Sequence, residues 1–199
     1  MNYFQIGSMS IPSTWLSASV ALFAAALIFR VIAGKKVGEW YWNSFFLYFF
    51  VWKLSYIPFH LNMFLDMPLS LIYFNGGSKG HLVALAVLSL YFLLIVRKKH
   101  QTEVAPTLFL LYFICYELLN YLLEKSRIEA ILQLVLLLSY VLFLKRNIIT
   151  KKLFIILLLL YLLILSFFGT IFSVEKLTFI WLGLLALTLS KENSQISKP

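Results

Sequence analysis

Long apolar stretches dominate the chain and alternate with short segments that carry most of the charge. A bilayer core of about 30 Å is crossed by about 20 mostly apolar residues in helical form. Continuous apolar runs favour helices over strands, because backbone polar groups in lipid must be satisfied within their own segment. The pattern predicts seven spans, which are Ser13–Phe29, Asn43–Phe59, His81–Val96, Val104–Leu123, Ile128–Leu144, Leu153–Phe172 and Leu177–Ser190.

The basic residues are distributed unequally between the two sides of such an arrangement. With the N-terminus outside, the inner segments hold twelve lysines and arginines and the outer segments hold four. Because basic residues concentrate in inner loops, this bias predicts an N-out, C-in topology. We expect an all-α integral membrane protein with a single transmembrane domain over residues 1–190. A polar cytoplasmic tail over residues 191–199 would follow it.

Composition supports a membrane protein and excludes other classes. Apolar residues make up 62 % of the 199 residues and charged residues 13 %, whereas soluble domains average 45–50 % and about 25 %. A soluble enzyme, a disordered chain and a nucleic-acid-binding domain are therefore excluded. The net charge of +9 follows from topology and contact with anionic lipid, so no nucleic-acid partner is expected.

The single cysteine and the histidines offer little redox or metal chemistry. Cys115 is the only cysteine, which excludes an internal disulfide and a thiolate cluster, and its apolar surroundings predict a buried thiol. The three histidines show no HxxxH spacing. We therefore expect neither a metal site nor a cofactor.

Only a few ionisable residues interrupt the spans, and each is a candidate for function because charge is costly in lipid. Lys53 and Glu117 are expected at similar depth, which suggests a buried pair. Such a pair either fixes helix packing or faces a substrate. Asn120 lies three residues after Glu117, so both side chains share one side of the fourth span. This polar stripe either lines a cavity or bonds neighbouring helices.

The segment from Leu61 to Gly80 forms the longest expected outer loop, and its Gly-rich end precedes the third span. His60 lies at the end of the second span and His81 at the start of the third, where each acts either as a hydrogen-bonded anchor or in a site. Glycines let a ligand approach the backbone, and a helix start favours an anionic group such as a lipid phosphate. The apolar stretch Leu69–Phe74 is expected to lie in the interface or re-enter the membrane. The candidate lipid-binding residues here are Asn75, Gly76, Gly77 and Lys79.

The stretch from the second to the fourth span resembles the bacterial prolipoprotein diacylglyceryl transferases. The residues that carry this resemblance are Trp52-Lys53-Leu54-Ser55-Tyr56, Asp66-Met67-Pro68-Leu69, Asn75-Gly76-Gly77-Ser78-Lys79-Gly80-His81 and Tyr116-Glu117-Leu118-Leu119-Asn120-Tyr121. The spacing from the double glycine to His81 is the family's, and Asn120 occupies an asparagine position of the family. Glu117 stands where the family has an arginine. The family's seven-span, N-out fold agrees with the topology expected here.

The resemblance implies transfer of a diacylglyceryl or related lipid group from a phospholipid such as phosphatidylglycerol to a lipoprotein precursor. It also implies a prokaryotic plasma membrane. In that interpretation His81 is the catalytic base, Lys53 contacts the phosphate, and Asn120 with the Gly76-Gly77 backbone orients the substrate. The missing arginines favour an alternative, a degenerate homologue that binds lipid or a membrane partner without catalysis. A small transporter is a third alternative.

Overall fold

The computed structural model describes residues 3–6, 9–96, 104–146, 151–167 and 173–189. The expected tail over 191–199 and Ser190 lie outside these residues, as does the segment 168–172. A short antiparallel hairpin opens the described chain, with β1 (Tyr3–Ile6) paired to β2 (Met9–Pro12) so that Tyr3 lies opposite Pro12. The remaining regular structure of the described residues is helical, as the sequence predicted.

Helices occupy every apolar stretch that predicted a span, as far as the stretch is described. Their bounds are α1 Ser13–Ala33, α2 Glu39–Leu54, α3 Tyr56–Phe59, α4 Leu61–Asp66, α5 Ser70–Tyr73, α6 Gly77–Tyr91, α7 Ala105–Glu124, α8 Arg127–Lys145, α9 Lys151–Phe167 and α10 Val174–Leu189. A π-helical turn over Phe92–Val96 extends α6. Helix α1 ends at Gly34, whose φ of 66° is the left-handed conformation typical of a glycine cap.

Four helical segments of the described chain are long and apolar enough to cross a membrane. They are Ser13–Ala33, Gly77–Val96, Ala105–Glu124 and Arg127–Lys145, whereas the apolar parts of α9 and α10 are shorter. The stretch predicted as the second span, Asn43–Phe59, is divided between α2 and α3 at Ser55. The chain is therefore a helical protein with several membrane-length helices, and the full set of seven spans stays a prediction.

The side chains of α1 show why these helices suit a lipid environment. Its buried side includes Ser13, Ser17, Ala21 and Ala25, which are small, whereas Val20, Phe23, Leu27 and Val31 are exposed. Several large apolar side chains thus point outward and several small ones inward, although Leu22 and Phe29 are also buried, so the pattern partly reverses that of a soluble helix. Small residues let helix backbones approach closely in a membrane, where lipid covers the outward-facing apolar groups.

The chain divides into two compact units. Unit 1 comprises residues 1–37 and 103–199, and unit 2 comprises residues 38–102. In unit 1, helix α7 packs against α1, α8, α9 and α10 and buries side chains around most of its circumference. One of them is Cys115, a free thiol that is 3 % exposed, which confirms the expected burial. In unit 2, α2 packs against α6. The expectation of one domain over residues 1–190 stays a prediction.

Candidate functional site

Helix α6 begins at Gly77, four residues before the predicted start of the third span at His81. The Asn75 Oδ1 atom accepts a hydrogen bond of 2.9 Å from the Gly77 N–H, so the side chain satisfies a backbone donor at the helix start. The glycine-rich segment was predicted as an outer loop, and this expectation is corrected here. Gly77 to Gly80 form the first turn of the helix, and His81 lies in the second.

The glycines of this turn permit close packing between α2 and α6. A Cβ atom at Gly76 or at Gly80 would overlap the Ser55 Oγ atom. The Gly76 N–H donates to the Trp52 carbonyl at 3.1 Å, which joins the two backbones directly. Gly77 instead has open space for a side chain but a φ of 58°, where glycine carries no steric penalty. The glycines were expected to let a ligand approach the backbone, and Gly76 and Gly80 also have a packing role.

His81 is held by a side chain that the sequence analysis did not single out. The Tyr48 hydroxyl and the His81 Nδ1 atom are 2.6 Å apart, and the two rings meet edge to face at 5.8 Å. The Tyr48 ring stacks on Trp52, whose Nε1–H donates to the Gly77 carbonyl at 3.2 Å. Tyr48 and Trp52 are one helical turn apart on α2, so one side of that helix positions both His81 and the first turn of α6.

Lys53 lies in the last turn of α2 and is partly exposed. Its Nζ atom donates a hydrogen bond of 2.8 Å to the Ile72 carbonyl of α5. This bond ties the segment that connects α2 to α6 back onto α2 and satisfies a carbonyl at the end of a short helix. The pairing of Lys53 with Glu117 stays a prediction, because the two residues belong to different units.

His60 and Lys79 are exposed and lie close to the short helix α3. The His60 ring stacks on Tyr56 at 5.1 Å, and the Lys79 Nζ atom lies 5.9 Å from the centre of the Phe59 ring. Both side chains therefore have aromatic partners, and the Lys79 contact is of the cation–π type. The aromatic contacts link Lys79 to α3, whereas His81 is bonded to Tyr48 of α2.

Glu117 and Asn120 belong to unit 1, where both side chains of α7 are buried, 5 % and 8 % exposed. The Asn120 Oδ1 atom has no hydrogen-bond partner among the described residues. The candidate site of the sequence analysis is thus divided. Unit 2 contains seven of its residues, namely Lys53, His60, Asn75, Gly76, Gly77, Lys79 and His81, and unit 1 contains the other two.

Three contributors to the unit 2 site were missed from the sequence, namely Tyr48, Trp52 and Ser55. Their spacing of four and three residues on a helix places them on neighbouring positions of one side, which is a detectable signal. The signal was obscured because aromatic residues are frequent throughout α2, as Phe45, Phe46, Phe49 and Phe50 show. Only the partner contacts on α6 distinguish Tyr48 and Trp52 from these neighbours.

Comparison of the chain with protein-family models, with curated proteins and with solved structures finds no match. Within the described residues, no group of three or more His, Cys, Asp or Glu side chains is placed to hold a metal ion.

Proposed function

We propose that the chain is a seven-helix, N-out and C-in protein of a prokaryotic plasma membrane that transfers a diacylglyceryl or related group at the outer side. The observation that carries the proposal is the Tyr48–His81 hydrogen bond at the start of a membrane-length helix. It fixes an imidazole beside the backbone of the first turn of α6. The resemblance to the prolipoprotein diacylglyceryl transferases agrees with this placement.

In the proposed reaction His81 accepts the proton of an acceptor thiol. The thiolate sulfur then forms a bond to the terminal glyceryl carbon of the phospholipid. The bond between that carbon and the phosphate oxygen breaks, and the headgroup phosphate leaves with the electron pair. His81 performs this role when its Nδ1–H donates to the Tyr48 oxygen, because the Nε2 atom is then the basic nitrogen.

The leaving phosphate carries negative charge, which Lys53, Lys79 and the first turn of α6 are suited to stabilise. Lysine offers a point charge without the two-pronged geometry of arginine, so these side chains would neutralise the phosphate more than orient it. Orientation is then assigned to the backbone N–H groups at the start of α6.

A second function, lipid binding without catalysis, is favoured by the contacts of the two lysines. Lys53 donates to Ile72, and Lys79 lies over Phe59, so both cations have structural partners. If Tyr48 donates to Nδ1 instead, the His81 proton is on Nε2. The imidazole then donates to a phosphoryl oxygen and cannot serve as a base. The two functions therefore differ in which ring nitrogen of His81 carries the proton. A proton on Nδ1 permits transfer, and a proton on Nε2 permits only binding.

The test is the intact mass of a reporter lipoprotein from cells that are depleted of their own diacylglyceryl transferase and express this chain. We expect a diacylglyceryl adduct with the natural chain and with His100→Ala, which alters a histidine that is not among the candidate site residues. The adduct should be lost with His81→Ala. Membrane insertion and bound phospholipid are measured in every strain.

An unmodified reporter beside a well-inserted chain that carries phospholipid would contradict the transfer reaction and support binding alone. A chain that inserts but carries no phospholipid would contradict both functions. Tyr48→Phe sharpens the result, because loss of the orienting hydroxyl should lower adduct formation about 100-fold if His81 acts as the base. Phospholipid retention should change little in this variant.

A further inference from the structure

Helix α5 (Ser70–Tyr73) is a single helical turn that is held by few contacts. Among the described helices, it packs closely only against α4, its neighbour in the chain. It is tied to α2 by the hydrogen bond of 2.8 Å from the Lys53 Nζ atom to the Ile72 carbonyl. Its outer side is apolar and exposed, since Ile72 and Tyr73 are 65 % and 77 % exposed. A turn of four residues is not stable in isolation, so its position depends on these contacts.

Two buried hydroxyls on the inner side of α5 have no hydrogen-bond partner in the part of the chain that the structure describes. They belong to Ser70, which is 3 % exposed, and to Tyr56, which is 2 % exposed. The Tyr56 ring stacks at 5.9 Å on Phe74, whose N–H donates to the Ser70 carbonyl at 2.9 Å. A buried hydroxyl without a partner is costly. Movement of α5 would relieve this cost, because water or a ligand could then reach both oxygen atoms.

Lys53 connects the position of α5 to the proposed reaction. Its ammonium donates to the neutral Ile72 carbonyl, whereas the proposed function assigns it to the phosphate of a phospholipid. An anionic phosphate attracts an ammonium more strongly than a neutral carbonyl does. A phospholipid headgroup therefore competes with α5 for Lys53, and the two unpartnered hydroxyls favour the release of α5.

We propose that α5 is a lid, closed in this structure, and that an anionic phospholipid headgroup opens it by taking Lys53 from Ile72. Opening uncovers Tyr56 and Ser70, whose hydroxyls then meet the headgroup or water. A ligand shifts a conformational equilibrium only if it binds one state better, and Lys53 is fully available to a phosphate only in the open state. The lid rests on the proposed function for the presence of a phospholipid at Lys53, and it adds how that phospholipid gains access.

The first test is hydrogen–deuterium exchange of the natural full chain in an uncharged detergent. The probe is dihexanoyl-phosphatidylglycerol, and the matched control is dihexanoylglycerol, which has the same acyl chains but no phosphate. Release of α5 removes the contacts that stabilise its single turn, so the bond from the Phe74 N–H to the Ser70 carbonyl should open. We expect a peptide over residues 70–74 to exchange about 10-fold faster with the phospholipid than with the control. Peptides from α1 of unit 1 should exchange equally in both.

Alkylation of a thiol on the inner side of α5 measures the opening directly. In Ser70→Cys, N-ethylmaleimide should react about 10-fold faster with the phospholipid than with dihexanoylglycerol, because the rate follows the population of the open form. Asn62→Cys is the matched control, since it places a thiol at an exposed position of α4 and should react equally in both. The natural Cys115 is buried in unit 1, so peptide mapping of its alkylation shows whether each variant stays folded.

Two further substitutions in the Ser70→Cys chain separate the ammonium from the hydroxyl. Lys53→Met removes the bond to Ile72, so alkylation should be fast without phospholipid and should gain little when phospholipid is added. Tyr56→Phe keeps the ring that stacks on Phe74 and removes an unsatisfied oxygen, so alkylation without phospholipid should slow. Unchanged alkylation in Lys53→Met, or faster alkylation in Tyr56→Phe, would contradict the lid.

Bound phosphatidylglycerol is quantified by mass spectrometry in the same samples, which separates failure of the lid from failure of the proposed function. If the chain binds the phospholipid while exchange of residues 70–74 stays unchanged or slows, the lid is overturned and the proposed function stands, even if Ser70→Cys fails to fold. If the chain binds no phospholipid, both are overturned. Opening with phospholipid, in a chain that forms no adduct on the reporter lipoprotein, would support the lid in a protein that binds lipid without transfer.

Discussion

Polar side chains near the end of α2 in unit 2 and those on α7 and α8 in unit 1 differ in burial and in hydrogen-bond partners. In unit 2, Tyr48, Trp52 and Lys53 each contact a defined partner, although these side chains are only partly buried. In unit 1, Asn120 and Gln133 are buried and present unsatisfied atoms among the described residues. The first region is thus a fixed arrangement that positions His81. The second contains buried hydrogen-bonding atoms that no described residue satisfies.

The largest expected effect concerns the close packing of unit 2. Gly80→Ala should lower the free energy of unfolding by about 1–3 kcal/mol, the usual cost of forcing an extra methyl into a packed contact. The new Cβ atom would overlap the Ser55 Oγ atom and lie 3.2 Å from the Trp52 carbonyl. Unfolding of the purified chain by SDS in mixed micelles measures the change.

Two further variants show whether the overlap itself is the cause. Ser55→Gly combined with Gly80→Ala should recover part of the lost stability, because the overlapping hydroxyl is gone. Gly77→Ala should cost only about 1 kcal/mol, because its left-handed backbone is strained for alanine but the surrounding space is open. If Gly80→Ala were neutral, the glycines of α6 would not owe their presence to packing.

The outcome at α6 shows what the sequence could and could not provide. Helix α7 was predicted as Val104–Leu123 and extends over Ala105–Glu124, because a long, mostly apolar run with charged residues at its boundaries defines both ends. The start of α6 was placed four residues late, because Gly76, Gly77 and Gly80 are typical of a loop. Ser55, which packs against Gly76 and Gly80, is more than twenty residues earlier in the chain, so the local sequence pattern does not show that contact.

The candidate site was predicted in part for the same reason. Polar and ionisable residues in apolar helices are conspicuous, so His81, Glu117 and Asn120 were identified from the sequence. Tyr48 was not, because one tyrosine among the many aromatic residues of α2 is unremarkable until its hydroxyl is seen beside His81. Gln133 was not identified either, although a glutamine in an apolar helix is also a polar interruption that the sequence displays.

The second expected effect has the opposite sign and lies in unit 1. Gln133→Leu should raise the free energy of unfolding by about 1 kcal/mol, because both amide atoms of Gln133 are buried without a partner among the described residues. Leucine has nearly the same length and leaves no unsatisfied amide in the interface between α7 and α8. The same SDS titration measures it. A loss of stability would mean that Gln133 has a partner beyond the described residues.

A smaller effect is expected at the hydrogen bond that holds His81. Tyr48→Phe should lower the free energy of unfolding by about 0.6 kcal/mol, an average value for side-chain hydrogen bonds within membrane proteins. The aromatic stack on Trp52 remains in this variant, so only the hydroxyl is tested. The ¹⁵N chemical shifts of the His81 ring should also change, because they report which nitrogen carries the proton. Unchanged shifts would mean that the hydroxyl does not bond to the ring.

The smallest expected effect on stability belongs to Lys53. Lys53→Met keeps the apolar stem and removes the bond to the Ile72 carbonyl, which is partly exposed, so the loss should not exceed about 0.5 kcal/mol. Under the transfer proposal, adduct formation should nevertheless fall about 100-fold, since a charge that meets the leaving phosphate is gone. Lys53→Arg is the matched control, because it retains the positive charge and should preserve most of the adduct. If Lys53→Met left adduct formation intact, Lys53 would serve only to hold α5 against α2, and the charge that stabilises the phosphate would have to come from Lys79.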